Sequence, residues 1–504
     1  MLDTRHDVSP HHSHAQDHRV PVVLISGDGI GPEVADAATS VLSATFKGFE
    51  WIEAEAGAAL MERGVASGVP KATLDEIERT GLVLKGPLAT PIGHGGKSAN
   101  VTLRKLYELY GNVRPIKPMP GLGGPFADRD INFVVVRENV EDLYAGIEHM
   151  QTPDVAQCLK LITRKGSEKI ARLAFALARA EHRTSLCAVT KANIMKLTEG
   201  LFKDVVETTA REFPELDLDH MLVDNCAQQM VMRPEQFEVI VTTNMNGDIL
   251  SDLGAGLIGG LGLTPSANVG DDVAIFEAVH GSAPDIAGRN VANPTALIRS
   301  GIMMLRHIGE GGAAQRLERA LEDVYRAGTA LTPDVAYDGI GVSTDAFRDA
   351  VLEALERVPE TGGTAREKPG FGAVTRPVKR ARPRQRVFDG ADVFVEWHGD
   401  AAHLAKVIQT VLIDTPFSLS MISNRGTLVW PTIVGCPDTV EHWRCRLLVS
   451  PDAMSAEKHL PDVLAKLPDS VRWMHVEKLE TCDGGPGYSM AQGQSCPQPK
   501  RRRP

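Results

Sequence analysis

The sequence predicts an α/β domain followed by a small α+β domain. Short β-branched runs alternate with longer helical ones from Val20 to about Pro359, a stretch rich in Gly, Pro and Arg follows, and strand-like alternation returns beyond it. At about 150 residues per domain, a chain of 504 residues has room for these units. We place a disordered His-rich tail at 1–19, the α/β domain at 20–359, a linker at 360–387, the α+β domain at 388–482 and a disordered basic tail at 483–504.

The bulk composition limits the partners that this chain can serve. It carries 65 acidic and 54 basic residues, and the resulting net charge of −11 argues against nucleic acid as the main partner. Seven scattered cysteines without a CxxC pair favour reduced thiols and a cytoplasmic protein. The long uncharged run from Leu253 to Gly270 is broken by glycines and Pro265, so we expect a buried helix and loop there and no membrane span.

The first motif of the α/β domain is "GDGIGPE", Gly27 to Glu33. It follows a strand and opens a helix, with Pro32 placed for the first helical turn. It resembles half of a dinucleotide-binding fingerprint, but the third glycine at the usual spacing is absent. The motif therefore favours a tight strand-to-helix turn over a Rossmann phosphate loop.

The second motif is "KSANVTLRKLYELYGNVRP", Lys97 to Pro115. Its helical spacing predicts a buried face formed by Leu103, Leu106, Tyr107 and Tyr110. Three arginines and two neutral polar residues, found in and after this segment, suit a small polyanion held by bidentate pairs: Ser98, Asn100, Arg104, Arg114 and Arg137. Taken one at a time, each arginine is better explained by a surface ion pair.

The third motif is "NMNGDILSD", Asn244 to Asp252. Asp248 and Asp252 are four residues apart, so both carboxylates share one helix face and repel unless a cation lies between them. "VDNCAQQ" supplies a further carboxylate, Asp224. Hard oxygen ligands of this kind favour Mg²⁺ or Mn²⁺, whereas a lone aspartate pair is by default a helix cap or a solvated face.

The fourth motif is "HGSAPDIAG", His280 to Gly288. Its small residues allow a backbone to approach a ligand closely, as phosphate-binding loops do. Asp285 places a carboxylate in this loop. That charge selects which phosphates the loop accepts.

The C-terminal part shows strand and helix periodicities in the order β-α-β-β-β-α-β, which predicts a ferredoxin-like sandwich without a catalytic constellation. The segments are Val393–Trp397, Leu404–Leu412, Phe417–Met421, Leu428–Trp430, Trp443–Val449, Leu460–Leu467 and Val471–Val476.

"NMNGDILSDLGAGLIGGLG" resembles the signature of the β-decarboxylating dehydrogenases, the family of isocitrate and 3-isopropylmalate dehydrogenases. "GDGIGPE", "SANVTLR", "RENVEDLYAG", "KANIMK" and "HGSAPDIAGRNVANPT" extend the resemblance over about residues 20 to 350. The linker and the "NRG"-containing second domain resemble the long bacterial isocitrate dehydrogenases. The resemblance implies a two-domain α/β subunit unlike the Rossmann fold, plus the C-terminal domain.

The resemblance also implies roles for individual residues. Substrate carboxylates would be held by Ser98, Asn100, Arg104, Arg114 and Arg137, the metal by Asp224, Asp248 and Asp252, and Tyr144 and Lys191 would be the acid and base. The cofactor would lie against Thr90, Glu277, His280, Gly281, Ser282, Ala283, Asp285, Ile286 and Asn293. Since Lys191 and Asp224 would reach the other subunit's site, a homodimer follows.

The expected activity is oxidation and decarboxylation of isocitrate with NAD and Mg²⁺ or Mn²⁺, as in the tricarboxylic acid cycle. Family members that use NADP have Lys-Tyr where this chain has Asp285 and Ile286, with further contacts that match Pro333 and Tyr337. NADP dependence, 3-isopropylmalate, homoisocitrate and, more weakly, tartrate remain alternatives within the class. A noncatalytic regulatory subunit is the alternative from another class.

Overall fold

The computed structural model describes residues 19–89, 98–336, 339–359, 385–431, 437–450 and 455–491. The chain forms two compact units. The first unit comprises Met1–Tyr144, Ile162–Asn193 and Leu201–Val378, and the second comprises Ala145–Leu161, Ile194–Gly200 and Lys379–Pro504. Most of the predicted linker and of both predicted tails, as well as Thr90 and Tyr337, lies outside the described residues.

The first unit is built on one large mixed sheet. Its ten strands are β1 (Val20–Ile25), β2 (Phe49–Glu53), β3 (Leu82–Lys85), β4 (Gly111–Ile116) and β5 (Phe133–Glu138), then β8 (Ser185–Thr190), β9 (Asp217–Leu222), β10 (Val239–Thr242), β11 (Pro265–Val269) and β12 (Ala274–Ala278). A hairpin in the second unit supplies the intervening β6 (Glu148–Thr152) and β7 (Val155–Cys158). The strand order across the large sheet is β2-β1-β3-β12-β11-β4-β5-β10-β8-β9.

The large sheet is parallel at both ends and antiparallel in its middle. β2, β1, β3 and β12 run parallel, as do β5, β10, β8 and β9. The pairs β12–β11, β11–β4 and β4–β5 are antiparallel and join the two groups. A Rossmann sheet is wholly parallel at its nucleotide site, so the predicted non-Rossmann α/β class is confirmed.

Eleven helices flank the strands of the first unit within the described residues: α1 (Gly31–Thr45), α2 (Ala58–Glu62), α3 (Lys71–Thr80), α4 (Ala99–Leu106), α5 (Arg164–Ala180), α6 (Thr198–Ala210), α7 (Val223–Met232), α8 (Asn244–Leu257), α9 (Thr295–His307), α10 (Gly311–Ala327) and α11 (Thr344–Arg357). α1 begins directly after "GDGI", and Pro32 lies in its first turn as predicted. The central strands β5 and β10 are buried along their whole length, which explains their near-continuous apolar sequence.

Two local predictions are wrong. α4 ends at Leu106, whose side chain is 58% exposed, so this residue does not belong to a buried face. Tyr110 is buried, but it lies beyond the helix, where the chain turns into β4. The run from Leu253 to Gly270 is also more than a helix and loop, because Pro265–Val269 forms β11 and pairs on both edges. Long-range strand pairing determines that segment, and the local pattern does not reveal it.

The second unit contains an antiparallel sheet with helices in the predicted order. Its elements are β13 (Arg386–Glu396), α12 (Ala401–Val411), β14 (Phe417–Asn424), β15 (Thr427–Trp430), β16 (His442–Val449), α13 (Leu460–Ala465), β17 (Arg472–Cys482) and the short β18 (Gly485–Pro486). The sheet order is β15-β14-β16-β13-β17-β18. Without the edge strands β15 and β18, the order is β14-β16-β13-β17, which is that of a split β-α-β sandwich. The ferredoxin-like class is therefore confirmed.

The described helices include none that is both long and apolar enough to cross a membrane.

Candidate active site

Two of the predicted substrate arginines project from the same face of the β4–β5 pair. In this antiparallel register, Asn112 lies opposite Arg137, and Arg114 lies opposite Val135. Because strand side chains alternate between faces, Arg114 and Arg137 share one face. Burial lowers the pKa of both guanidinium groups, to about 10 for Arg137. Arginine side chains stay protonated in proteins, so both groups are cations at neutral pH. The sheet thus holds two buried positive charges side by side.

The third arginine, Arg104, comes from α4 and meets the sheet through a buried carboxylate. Its Nη2 lies 3.2 Å from Glu277 Oε1, and Lys85 Nζ lies 2.5 Å from Glu277 Oε2. Asn268 Nδ2 also donates to Glu277 at 2.7 Å. Burial alone would raise the pKa of Glu277, but Lys85 and Arg104 outweigh burial and hold that pKa at about 2. Glu277 is therefore ionised at neutral pH, and its negative charge anchors Arg104.

The two neutral candidates lie at the start of α4. Ser98 occupies the N-cap position, and Asn100 Nδ2 donates to Leu88 O at 3.4 Å. Three buried polar atoms around this region have no hydrogen-bond partner among the described residues, namely Asn100 Oδ1, Arg104 Nε and Arg114 Nε. Buried polar atoms are normally satisfied, so such a cluster is typical of a ligand site.

Helix α8 brings Asp248 and Asp252 to the arginines. Arg137 Nη1 donates to Asp248, and Arg114 Nη1 donates to Asp252 Oδ1 at 3.2 Å and to Ser251 Oγ at 2.5 Å. Burial opposes ionisation of Asp248, but Arg137 and Arg114 hold its pKa below the usual range. Burial raises the pKa of Asp252, which is the more exposed of the two. The two carboxylates therefore share one face, as their spacing predicts, and cations already neutralise them.

The predicted acid, Tyr144, belongs to the same cluster. Its hydroxyl donates to Asp248 Oδ2, and Arg137 Cζ lies 5.0 Å from the centre of its ring. Burial, together with the hydrogen bond to Asp248, raises the pKa of Tyr144. The phenol thus stays protonated at neutral pH.

The predicted base, Lys191, lies elsewhere in this chain. Its Nζ is 2.6 Å from Asp224 Oδ1, in the first turn of α7, and this contact lowers the pKa of Asp224. The structure therefore groups Lys191 with Asp224, and it groups Tyr144 with Asp248 and Asp252.

Divalent cations that prefer oxygen fit the donor set of Asp248 and Asp252. Both are partly exposed carboxylates on one helix face, and they are the hard ligands that Mg²⁺ and Mn²⁺ favour. Over the described ranges of this single chain, His, Cys, Asp and Glu side chains form no group of three that could hold a metal. Asp224 is therefore not brought to the other two within one chain.

The glycine-rich turn Gly27–Glu33 packs against the loop His280–Gly288. Ile30 N donates to Ser282 O at 2.9 Å, and a Cβ on Gly29 would lie 1.9 Å from that same oxygen. Glu33 Oε2 accepts from Asn290 N at 2.9 Å. The close approach of two backbones is what requires glycine here.

Within the loop His280–Gly288, the predicted cofactor residues differ in solvent exposure. Asp285 is exposed and accepts no hydrogen bond from the described residues, so it is not a turn cap. Ile286 packs against the core of the first unit. Gly281 is exposed, while Ser282 and Ala283 are partly exposed, with Ala283 at φ 38°.

Two further cofactor candidates are His280, the first residue of this loop, and Asn293, which follows the loop. Burial lowers the pKa of His280, whose Nδ1 lies 3.0 Å from Gly281 O. Asn293 is buried, its Oδ1 accepts from Thr295 N at the start of α9, and its Nδ2 donates to Asp334 Oδ2, which lies between α10 and α11. The predicted contact of Asn293 with the cofactor stays a prediction. The predicted contact of Glu277 with the cofactor also stays a prediction.

Sequence reasoning missed three residues that organise the cluster. Lys85 ends an otherwise apolar strand, and Asn244 and Glu138 are buried beside Arg137. The sequence signal that could have identified them is a charged or amide residue inside an apolar run, because such groups are buried only when they have partners.

The comparisons with known proteins agree with this geometry. Residues 21–351 match the family described as isocitrate/isopropylmalate dehydrogenase. The chain belongs to that family. Residues 386–494 match the C-terminal domain of bacterial isocitrate dehydrogenase, so this member carries the additional domain.

Several family members are similar over nearly their whole length. A Thermus thermophilus protein named isocitrate dehydrogenase [NADP] is 51% identical over 480 residues, which is 95% of this chain and 97% of that protein. The Rickettsia bellii protein of the same name is 36% identical, covering 94% and 99%. A crystal structure of a Thermus thermophilus protein has a TM-score of 0.90 at 51% identity, covering 95% and 97%. Isocitrate dehydrogenase from Methylococcus capsulatus has a TM-score of 0.64 at 50% identity, covering 66% of this chain and 99% of that one.

Proposed function

We propose that this family member oxidises and decarboxylates isocitrate to 2-oxoglutarate and CO₂, with NAD as hydride acceptor and Mg²⁺ or Mn²⁺ as the metal. The observation that carries the proposal is the cluster of Arg104, Arg114 and Arg137 around Asp248, with Tyr144 hydrogen-bonded to the same carboxylate. Three guanidinium groups suit the three carboxylates of isocitrate.

The polar start of α4 favours isocitrate over 3-isopropylmalate. An isopropyl group needs an apolar wall, whereas this chain offers Ser98 and Asn100 at that place, beside Arg104. Homoisocitrate is the closer alternative, and a Thermus thermophilus relative, 48% identical over 339 residues, is named isocitrate/homoisocitrate dehydrogenase.

Each step of the reaction has a candidate group in the chain. Lys191 takes the proton of the C2 hydroxyl as the C2 hydride leaves, and Tyr144 later returns a proton to the enolate formed when the C–C bond to the β-carboxylate breaks. The raised pKa of Tyr144 suits it to donate that proton. A metal held by Asp248, Asp252 and Asp224 would polarise the oxygen on C2, and the nicotinamide would accept the hydride.

A homodimer accounts for the separation of Lys191 and Asp224 from the Asp248 cluster. If these two residues complete the partner's site, the surface around them must be covered by a second copy. On α7 and α8, Met232 is 57% exposed and Ile249 is 59% exposed. In the second unit, Ile194 and Leu197 are also exposed large apolar residues. Apolar groups of this size on two surfaces support self-association.

The exposed carboxylate of Asp285 supports NAD over NADP. A 2′-phosphate about 4 Å away would be repelled by roughly 4 kcal/mol at an effective dielectric constant of about 20, as an upper bound. Half of that corresponds to more than a tenfold preference for NAD, at about 1.4 kcal/mol per tenfold. NADP is the second candidate, because the relatives that match nearly the whole chain are named for NADP.

Turnover by the purified chain tests the reaction. With Mn²⁺ and NAD we expect stoichiometric 2-oxoglutarate and NADH from isocitrate, and at least tenfold lower kcat/KM with 3-isopropylmalate or homoisocitrate. No turnover of any of these acids with either cofactor would instead support a noncatalytic regulatory subunit.

Substitutions in the cofactor loop test the choice of nucleotide. Asp285→Asn keeps the shape and removes the charge, so kcat/KM with NADP should rise while that with NAD changes little. Asp285→Lys with Ile286→Tyr should raise NADP use further. Asp272→Asn, at an exposed aspartate between β11 and β12, is the matched control and should leave the ratio unchanged.

A further inference from the structure

The guanidinium group of Arg137 is held in one plane by a residue outside the proposed catalytic set. Arg137 is 1% exposed, and its Nε donates to both the backbone O of Asn244, at 3.0 Å, and its side-chain Oδ1, at 3.1 Å. Nη2 donates to the same Oδ1 at 2.7 Å, and Nη1 donates to Asp248. Of five N–H groups, one on Nη1 and one on Nη2 are left to donate to a carboxylate.

Asn244 is itself fixed from the opposite side. Its Nδ2 lies 3.4 Å from Glu138 Oε2 and 3.3 Å from Glu141 O, both acceptors. Glu138 is held in turn by Val140 N at 2.8 Å and by Glu141 N. With acceptors on one side and the donors of Arg137 on the other, the amide has only one satisfactory orientation. Asn244 is 1% exposed, so water cannot replace either set of bonds.

The helix bearing Asn244 is shaped around the stem of Arg137. A Cβ on Gly247 would lie 2.6 Å from Arg137 Cγ and 2.7 Å from its Cβ. Met245 N donates to Asp142 Oδ2 at 3.0 Å, which fixes the first turn of α8. The stem of Arg137 therefore packs closely against Gly247, and its guanidinium group meets the Asn244 amide.

We propose that Asn244 is a positioning residue that orients Arg137 toward a substrate carboxylate through the chain Glu138–Asn244–Arg137. The inference rests on the proposed function, in which Arg137 binds isocitrate. Without the amide, the guanidinium keeps its bonds to the backbone O of residue 244 and to Asp248, but Nη2 loses its acceptor and the plane of the group is held less firmly. The affinity for the substrate then falls, while the chemistry of the bound complex changes much less.

A double-mutant cycle in the full-length protein tests this role. In the otherwise unchanged protein, Asn244→Ala should raise the KM for isocitrate at least tenfold, with kcat within threefold and the KM for NAD unchanged. In an Arg137→Ala background, the same substitution should raise KM less than twofold, because the group that Asn244 positions is gone. Equal effects in both backgrounds would overturn the proposal, since they would indicate a general structural loss.

Two further variants separate positioning from folding. Asn246→Ala is the matched control, because Asn246 is a buried asparagine of the same helix whose Nδ2 donates to Thr243 Oγ1 at 3.1 Å, and it should leave KM within twofold. Asn244→Ser leaves a smaller cavity than Asn244→Ala. If Asn244→Ala fails to fold, Asn244→Ser replaces it in the cycle, and we expect its KM for isocitrate to rise at least threefold. An unchanged KM in a folded Asn244→Ser protein would overturn the proposal. Absence of isocitrate turnover in the unmodified protein would instead refute the proposed function.

Discussion

Glu277→Gln removes the charge that holds two buried cations in the first unit. The side chain keeps its shape, and the amide oxygen can still accept from Asn268. Lys85, however, loses its carboxylate at 2.5 Å and keeps, among the residues that the structure describes, only the carbonyl of Gly86, at 2.9 Å. Arg104 loses the negative charge of its partner, although the oxygen that accepts from Asn268 can still accept from Arg104 Nη2, at 3.2 Å. Leaving a buried charge without its partner costs about 3–5 kcal/mol.

The depressed pKa of Glu277 gives a second value, of similar size, for the stabilisation by its charge. A drop from 4.5 to about 2 corresponds to about 3 kcal/mol, at 1.36 kcal/mol per unit. The unfolding entropy is about 2.1 cal/mol/K per residue, so over roughly 340 residues a loss of about 3 kcal/mol lowers Tm by about 4 °C. Because the folded-state pKa is depressed, this stabilisation is complete above pH 4.5 and is lost as pH falls toward 2.

The assay is thermal unfolding at pH 7 and one fixed protein concentration. Glu76→Gln is the control, because it breaks the exposed pair with Arg79, which contributes at most about 1 kcal/mol. The Glu277 variant should also raise the KM for isocitrate through Arg104. If its Tm falls no further than that of the control, the account of the Lys85–Glu277–Arg104 cluster is refuted.

Three other predictions address the metal, the shared site and a buried carboxyl. Chelation should abolish turnover and Mg²⁺ or Mn²⁺ should restore it, whereas Asp248→Asn should need far more metal; full activity of that variant in chelator would contradict the assignment. An inactive Lys191→Ala chain mixed with an inactive Arg104→Ala chain should regain activity as a heterodimer, and a verified heterodimer without activity would mean that each site comes from one chain. Burial raises the pKa of Glu138 to about 7, so the ionised group destabilises the fold as pH rises from about 4.5 to 7. The Tm of Glu138→Gln relative to the unmodified protein should therefore increase from pH 5 to pH 8, and a constant difference would refute that pKa.

The sequence predicts the parts of the site that follow local rules. Asp248 and Asp252 share a face because helical spacing requires it. The shared face of Arg114 and Arg137 depends instead on the pairing of β4 with β5, which the sequence does not predict. The sheet order is not predictable in this way. The reversal at β11 and β4 depends on pairing between distant segments, and the chain near Pro265 has no local signal for it.

The residues that orient the site are harder to predict than those that form it. Lys85, Glu138 and Asn244 act through partners that only the folded chain brings near, such as Glu277 at 192 positions from Lys85. Leu106 shows the converse, since helical spacing predicted its burial although α4 ends there. Local periodicity does not tell where an element meets its neighbours.

The central claim is that this chain oxidises isocitrate with NAD. Its most direct test is kcat/KM for NAD and for NADP, measured on the same purified protein with saturating isocitrate and Mn²⁺. The exposed carboxylate of Asp285 predicts a value at least tenfold higher with NAD. A higher value with NADP would contradict the account of the cofactor loop, and the absence of 2-oxoglutarate with either nucleotide would contradict the proposed reaction.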